Sequence, residues 1–467
     1  MTNKFPPIFS QKNCRRFSIA PAINNSGITK VLISKDTRSD ILSLINFSLG
    51  HYPQYEISSE EEIQKQIDTI YKSNINQNEN QSAEEMPSSS VINLVDEIIT
   101  EAIELGASDV HIEPFENSYL VRYRLDGVLQ EKTSLDKNLV SPVVSRIKIL
   151  SGLDIAEKRR PQDGRIRFSK GDNVVDIRVS VLPTDFGEKT VLRILDKSTL
   201  RLDLSLLGMR KDDLDIFKQK ISLPYGIIMI TGPTGSGKTT TLYAALNHIK
   251  SPGINITTIE DPIEYNLEGI NQTQIRPEIN LTFASALRSI LRQDPNVIMV
   301  GEIRDKETLE NALRASLTGH LVLSTLHTND SFSTVARLKD LGADTSILKS
   351  SLKLIVAQRL VRKICPHCKT NDTPENEQAA ASVLGIPIDK IKYGRGCEHC
   401  MGIGYWGRTS VFEILPIDAE NARRIFEAGS SSAGLEIAGN RDSLRKSGIK
   451  LIESGTTTPS EVLRETE

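Results

Sequence analysis

Apolar residues return at helical spacing along Val91, Leu94, Val95, Ile98, Ile99, Ala102 and Ile103, so one face of a helix is set for burial. The period then shortens to two. Asp109-Val-His-Ile-Glu113 and Leu120-Val-Arg-Tyr-Arg-Leu125 alternate as half-buried strands do, with Asp126-Gly127 as a hairpin turn signal. Val174–Val181 and Thr190–Leu195 add further strands. The pattern predicts a mixed α/β domain over residues 91–202. Beyond it the strands become short, continuous apolar runs: Tyr225–Thr231, Ile254–Ile259, Val297–Val300 and Leu321–Thr325. Helical patterns lie between them, the first carrying the stripe Leu242, Ala245, Leu246 and Ile249. Buried strands alternating with helices imply a parallel sheet in a doubly wound α/β domain.

The flanks are less regular. Within residues 1–72, Val31–Ser34 reads as a strand and Asp40–Leu49 as a helix, which suggests a small folded module. Residues 73–90 are rich in Asn, Gln, Glu and Ser without apolar period, the composition of a flexible linker. Asp203–Lys220 bridges into a core expected over 203–362. A cysteine-bearing segment over 363–402 and a polar helical tail over 403–467 follow. There is no internal repeat.

Composition narrows the function classes. The chain has 467 residues, with 38% hydrophobic and 25% charged, an ordinary globular balance. A net charge of −3 and only 5% aromatic residues argue against a nucleic-acid partner, which wants basic surface and stacking platforms. The apolar runs are too short to span a bilayer. Met1–Ser10 lacks the apolar stretch of a secretory signal. The expectation is a cytoplasmic protein that meets a membrane only peripherally, through partners.

Chemistry concentrates after the strand at Tyr225–Thr231. Gly232-Pro233-Thr234-Gly235-Ser236-Gly237-Lys238-Thr239 fits the phosphate-loop pattern G-x-x-x-x-G-K-[ST], with Thr240 next in the helix it opens. The glycines let the loop curl so that backbone N–H groups face the phosphates, and the helix N-terminus adds partial positive charge. Lys238 is expected at the β- and γ-phosphates of ATP and the Thr239 hydroxyl on Mg²⁺. Downstream, Asn296-Val-Ile-Met-Val-Gly-Glu302 is an apolar strand tipped by a carboxylate, placed to act on Mg²⁺ or its water. A second acidic cluster, Thr258-Ile-Glu260-Asp261-Pro-Ile-Glu264, ends the strand after the loop's helix. In isolation such a cluster reads as a turn with a helix cap. Thr318-Gly-His320 and His327-Thr-Asn329 put polar groups at both ends of a buried strand, one arrangement for a γ-phosphate sensor.

Of five cysteines, four form two Cys-x-x-Cys pairs, Cys365/Cys368 and Cys397/Cys400; Cys14 stands apart. Two tight pairs can deliver four thiolates in the tetrahedron that Zn²⁺ prefers at a closed structural site. His367 and His399, inside the pairs, are possible substitute ligands. A redox role fits poorly, since neither pair opens a helix after a strand.

Taken together, Gly232–Thr239, Thr258–Tyr265, Asp294–Asp305 and Thr318–Asn329 resemble the Walker A, Asp-box, Walker B and His-box segments of the type II secretion and type IV pilus assembly ATPases. The closest likeness is to the general secretion pathway protein E family. Ala107–Pro114, Lys158–Arg165, Arg288–Arg292 and Ala357–Arg362 match in order as well, so the resemblance runs from about Val91 to the C-terminus. It implies a RecA-like P-loop ATPase domain preceded by a PAS-like α/β domain, with a small N-terminal module and a zinc-binding insertion. It further implies a homo-hexamer driving pseudopilus assembly and protein export, with ATP near each domain junction. Glu260 would be the general base and Glu302 would help hold Mg²⁺. Arg178, Arg193, Arg288 and Arg292 occupy the family's phosphate-arginine positions, although spacing alone reads Arg288 and Arg292 as a solvated helix stripe. The N-terminal module, which docks on inner-membrane platform proteins in relatives, is short here and only weakly similar. A pilus-assembly or DNA-uptake ATPase is the alternative within the family. An adaptor without turnover is disfavoured by Lys238, Thr239, Glu260 and Glu302 all being present.

Overall fold

The computed structural model describes residues 53–71, 88–116, 118–170, 173–195, 202–427 and 443–466, and, nearer the start, 9, 13–14, 17–24, 27–35, 37 and 39–49. The chain forms two compact units, Met1–Asp196 and Lys197–Glu467. The linker expected over 73–90 lies outside the described residues, except that Ser88–Ser90 already belong to a helix.

The first unit begins with β1 (Ile19–Asn24), β2 (Gly27–Ile33), α1 (Ser39–Leu49), β3 (Gln54–Ile57) and α2 (Glu60–Tyr71). The three strands form one sheet in the order β1-β2-β3. There follow α3 (Ser88–Glu104), β4 (Asp109–Pro114), β5 (Tyr119–Leu125), β6 (Val128–Leu135), α4 (Lys137–Ser151), β7 (Gln162–Lys170), β8 (Asn173–Thr184) and β9 (Gly187–Leu195). These six strands make an antiparallel sheet ordered β6-β5-β4-β9-β8-β7. Alternation sorts its two faces. Val110, Ile112, Val121, Tyr123, Ile177 and Val179 are buried with Leu94, Val95, Ile98 and Ile99 of α3, and the Tyr123 hydroxyl donates to the Ile98 carbonyl at 3.1 Å. The other face carries a cross-strand row, Arg124–Asp109–Arg193–Arg178–Arg165, in direct register.

The second unit contains α5 (Lys211–Ile221), β10 (Gly226–Thr231), α6 (Lys238–Ile249), β11 (Ile256–Glu260), β12 (Asn271–Gln274), α7 (Phe283–Ile290), β13 (Val297–Val300), α8 (Lys306–Leu317), β14 (Leu321–Leu326), α9 (Ser331–Asp340), α10 (Thr345–Ser351) and β15 (Leu352–Ile364). It continues with β16 (Lys369–Thr370), α11 (Glu375–Leu384), β17 (Tyr393–Gly394), β18 (Tyr405–Pro416), α12 (Ala419–Glu427), α13 (Leu444–Glu453) and α14 (Pro459–Thr466). Seven strands run β12-β11-β13-β14-β10-β15-β18, with all neighbours parallel except β15 and β18.

The apolar runs are continuous because both faces are covered. Ile227 and Met229 pack with Leu287, Leu309 and Leu338 on one side. Ile228 and Ile230 pack with Phe217, Leu242 and Leu246 on the other. One expectation needs correction: the segment after residue 403 is not wholly helical. Tyr405–Pro416 is a long edge strand, and its β-branched and aromatic residues Tyr405, Trp406, Thr409, Val411, Phe412 and Ile414 suit a pleated surface.

Candidate nucleotide site and metal centre

The loop Gly232–Gly237 joins the end of β10 to the start of α6. Its glycines are required by space as well as by torsion. Gly232 has φ +148°, and a Cβ there would lie 2.4 Å from the Gln358 carbonyl oxygen and 2.6 Å from Ser236 Oγ. Gly237 (φ 86°) is the N-cap of α6 and supplies no side-chain cap, so the first N–H groups of the helix stay available to an anion. Ser236 Oγ is buried with no hydrogen-bond partner among the described residues. A buried hydroxyl of this kind is costly unless a ligand satisfies it, and a phosphate oxygen would do so. Lys238 donates from Nζ to the Gly232 and Pro233 carbonyls at 2.7 and 3.0 Å. Burial pulls this ammonium down to about 8, with Arg359 acting in the same sense and Glu302 opposing. Thr239, the expected Mg²⁺ ligand, is exposed beside it.

Glu302 follows β13, whose end is pinned by Ser324 Oγ to the Val300 carbonyl and Thr325 Oγ1 to the Gly301 carbonyl, both at 2.7 Å. Its carboxylate pairs with Arg304 Nη2 at 2.6 Å and lies 3.5 Å from His327 Nε2. Burial and then Lys238 lower the His327 pKa, against the pull of Glu302. Lys238, Glu302, Arg304 and His327 thus form one electrostatic group. Glu260 ends β11 and is 3% exposed. Its Oε1 accepts from Thr258 Oγ1 at 2.5 Å and Gln272 Nε2 at 3.0 Å, and its Oε2 accepts a short hydrogen bond from the Tyr243 hydroxyl.

The remaining expected residues fall elsewhere. His320 is a correction. It precedes β14 at the end of the sheet where its carbonyl accepts from Gly226 N–H, about 20 Å of strand from the glycine loop. Its Nδ1 lies 3.0 Å from the Ala315 carbonyl at the end of α8, so it closes a helix and does not sense phosphate. Arg288 pairs with Glu307, and Arg292 Nη1 donates to the Arg288 carbonyl at 2.8 Å; both are exposed. These are the solvated stripe that spacing alone suggests, and neither is brought to Lys238 within the chain by a described contact. Arg178 and Arg193 belong to the first unit, where Arg193 Nε donates to Asp109 Oδ1 at 3.0 Å.

Sequence reasoning missed several supporting residues. Gln358 Oε1 accepts from Thr241 Oγ1 of α6 at 2.8 Å beneath the loop. Thr328 N–H donates to Thr231 Oγ1 at 3.0 Å, tying the His327 segment to the end of β10. Arg359 Nη2 donates to the Asn329 carbonyl at 2.7 Å. Tyr243 stands in mid-helix beside the stripe residue Leu242 and carries no motif of its own. Only the match of Ala357–Arg362 hinted that β15 serves the loop.

The four cysteines of the pairs converge, with all Sγ atoms within 4.8 Å of one another. Cys365–Cys397 and Cys368–Cys400 are 3.8 Å apart and Cys397–Cys400 3.7 Å. A tetrahedron with Zn–S bonds of about 2.3 Å has edges of about 3.8 Å, so the donor set fits zinc. Cys400 Sγ accepts from the Cys397 and Gly404 N–H groups at 3.2 Å. Burial pushes its thiol up, yet these hydrogen bonds draw it down to about 7, favouring the ligating thiolate. His367 and His399 stack outside the cluster at 4.2 Å between centroids, and His399 on Trp406 at 4.4 Å.

Comparison with known proteins agrees with this geometry. The profile of the family "Type II/IV secretion system protein" matches residues 84–464. Type II secretion system protein E of Dickeya dadantii is 48% identical over 397 residues, covering 82% of this chain and 79% of the relative. The type IV pilus assembly ATPase PilB of Myxococcus xanthus is also 48% identical, over 80% of this chain and 68% of its own length. Among solved structures, the pilus retraction motor PilT with bound ADP aligns with a TM-score of 0.54 and 27% identity, over 79% of this chain and 96% of that one.

Proposed function

The chain belongs to the type II/IV secretion system protein family, and from that premise we propose that it is a translocase motor whose ATP hydrolysis drives pseudopilus assembly and protein export. That it is an ATP-hydrolysing enzyme follows from the family. The observation that carries the reading is the glycine loop itself, with its orphaned Ser236 hydroxyl and buried Lys238 beside Glu302 and His327.

In this reading, the loop N–H groups and Ser236 take the phosphate oxygens, and Lys238 leaves its loop carbonyls for the β- and γ-phosphates. Mg²⁺, held by Thr239 and by Glu302 directly or through water, neutralises phosphate charge when bound. Glu302 would then exchange its pairing with Arg304 for that duty. Glu260 takes the proton of the attacking water. His327 stays within reach of Glu302, and Arg178 and Arg193 serve the spreading charge of the γ-phosphoryl group. Cys365, Cys368, Cys397 and Cys400 would hold Zn²⁺, which would tie residues 365–368 to residues 397–400.

We assign residues 91–202 to a PAS-like domain, 203–362 to the RecA-like core and 363–402 to the zinc-binding segment. Residues 1–72 would dock on inner-membrane platform proteins, and six copies would form a ring at the cytoplasmic face. No helix among the described residues is long and apolar enough to cross a membrane, which suits attachment through partners. A pilus-assembly role stands beside the secretion role because the PilB relative is as similar as the secretion relative.

The test is ATP turnover and nucleotide binding in Lys238→Ala, Glu302→Gln and Glu260→Gln. Lys238→Ala should lose both. The two glutamine variants should bind Mg-ATP and turn over slowly, by on the order of 10²-fold or more for loss of a base or charge. Wild-type turnover in Lys238→Ala would refute the site. Normal turnover in either glutamine variant would remove that glutamate from the mechanism.

A further inference from the structure

Glu260 is held unusually completely for a group that must take a proton. Three donors reach it from three elements: Tyr243 from α6, Thr258 from β11 itself, and Gln272 from β12. An ionised carboxylate offers about four acceptor positions. Oε1 uses two, on Thr258 and Gln272, and Oε2 uses one, on Tyr243. Among the described residues one position remains, and it is on Oε2. Gln272 is itself fixed, donating to the Tyr265 carbonyl at 2.9 Å and accepting from Leu267 N–H at 2.6 Å. Tyr243 is fully buried, with its ring edge-on to Tyr265 at 6.5 Å. It stands in α6, the helix that begins with Lys238. Its hydroxyl therefore joins the phosphate-binding helix to the carboxylate at the end of the neighbouring strand.

We propose that Tyr243, with Gln272 and Thr258 completing the set, is a positioning residue that fixes the Glu260 carboxylate so that Oε2 alone can receive a proton. This rests on Glu260 being the base. In the step concerned, the oxygen of water bonds to the γ-phosphorus as the bond from phosphorus to the ADP oxygen breaks. The proton of that water passes to Oε2 and leaves later for the phosphate product. A Tyr243 donor on the same oxygen stabilises the ionised carboxylate. Burial and the Glu260 carboxylate push the phenol well above its ordinary range, so it remains a donor throughout the working pH range.

The other groups around Glu260 do not substitute for this contact. From its own segment come Asp261 and Glu264. From β13 comes Glu302, one residue past Gly301, whose N–H donates to the Ile259 carbonyl at 2.8 Å. From β12 the facing group is the neutral Gln272. α7 meets β11 with apolar side chains such as Leu287, while its Arg288 and Arg292 are exposed. Tyr243 is thus the donor to Oε2.

The experiment compares wild type, Tyr243→Phe, Gln272→Leu and Glu260→Gln in the full chain. It measures kcat and KM for ATP from pH 5 to 9, Mg-ADP affinity and thermal unfolding. The sign is fixed by which form Tyr243 stabilises. Tyr243 donates to the ionised base, so removing it disfavours the form that accepts the proton, and the acid limb of kcat moves up. A charged-group hydrogen bond of the ordinary strength corresponds to a displacement of about one to two pH units. The expected result for Tyr243→Phe is that displacement, with a lower kcat and with KM and Mg-ADP affinity within about twofold of wild type. A purely structural tyrosine would lower the unfolding temperature and leave the acid limb in place. That outcome, with Glu260→Gln inactive, overturns the inference and spares the base. A fully active Glu260→Gln removes the base assignment and this inference with it. Should Tyr243→Phe not fold, Gln272→Leu decides by the same limb and the same criteria.

Discussion

Raising the pH should weaken nucleotide binding through Lys238 alone. Its ammonium is buried against the loop it serves and sits at about 8, below the usual lysine range near 10.5. Two loop carbonyls accept from it, whereas phosphate oxygens would stabilise the charged form far more. Without nucleotide the lysine therefore loses its proton as pH rises through 8, and binding must put that proton back. At pH 7 the lysine is mostly charged and little is taken up. At pH 9 only about one molecule in eleven carries the proton, so apparent affinity should fall about tenfold, or about 1.4 kcal/mol. Neither ATP phosphates nor His327, whose pKa lies below the ordinary histidine value, titrate between pH 8 and 9.5. Calorimetry across that window in two buffers of different ionisation enthalpy counts the protons directly. Lys238→Arg, which stays charged, should bind with a flat profile whatever its absolute affinity. Wild-type affinity that is level from pH 7 to 9.5, with no proton uptake, would show that the loop does not depress Lys238 and would refute the reasoning.

Two further outcomes are expected. Freshly purified, reduced protein should contain one zinc per chain by elemental analysis, and Cys397→Ser should lose it with a large fall in unfolding temperature but retained ATP binding; clearly substoichiometric zinc in the wild type would rule out the tetrathiolate. Specific ATPase activity should fall on dilution and recover in enforced hexamers, with Arg193→Ala slow in both; a flat dilution series together with an unimpaired Arg193→Ala enzyme would mean that one subunit completes its own site.

What could be read in advance follows from the range of the interactions. The buried strands of the second unit were legible because burial on both faces leaves unbroken apolar runs, as in Ile227–Ile230 and Val297–Val300. The glycine loop was legible because its chemistry is contained in eight consecutive residues. Glu302 was legible because an acid one glycine past four buried apolar residues must be at a strand tip. His320 misled because it precedes its strand whereas the glycine loop follows its own, and in the parallel pair, with Gly226 opposite Leu321, that sets the two at opposite ends of the sheet. Tyr243, Gln272 and Gln358 could not be found from spacing, since each acts across a separation that only the fold closes. Tyr405–Pro416 was misread because a strand at the sheet's antiparallel edge lies outside the alternation of strand and helix that announces the rest.

The same closure changes the relation between the two sites. Cys365 lies far along the chain from Lys238, yet it is the residue directly after β15. β15 pairs with β10 along Ile227–Thr231, places Gln358 under the loop and Arg359 on the Asn329 carbonyl, and reaches the cysteines after about 23 Å of extended backbone. Midway, Arg362 is locked by Glu461 of α14, 1% exposed, through three hydrogen bonds from its side chain and one from its N–H, and its guanidinium stacks over Tyr405 of β18 at 4.0 Å. A buried charge held this completely is costly to disturb, since removing one partner strands the other. It fixes the strand as a stiff element and does not simply anchor a tail. Thr241 and Gln358 thus join the loop's helix to a strand that is braced on both sides and ends at the four-cysteine cluster. At that end residues 365–368 and 397–400 meet, and Cys365 N–H donates to the Gly404 carbonyl at 2.9 Å beside the start of β18, so the strand that carries Gln358 under the loop is also tied down where the cysteines converge.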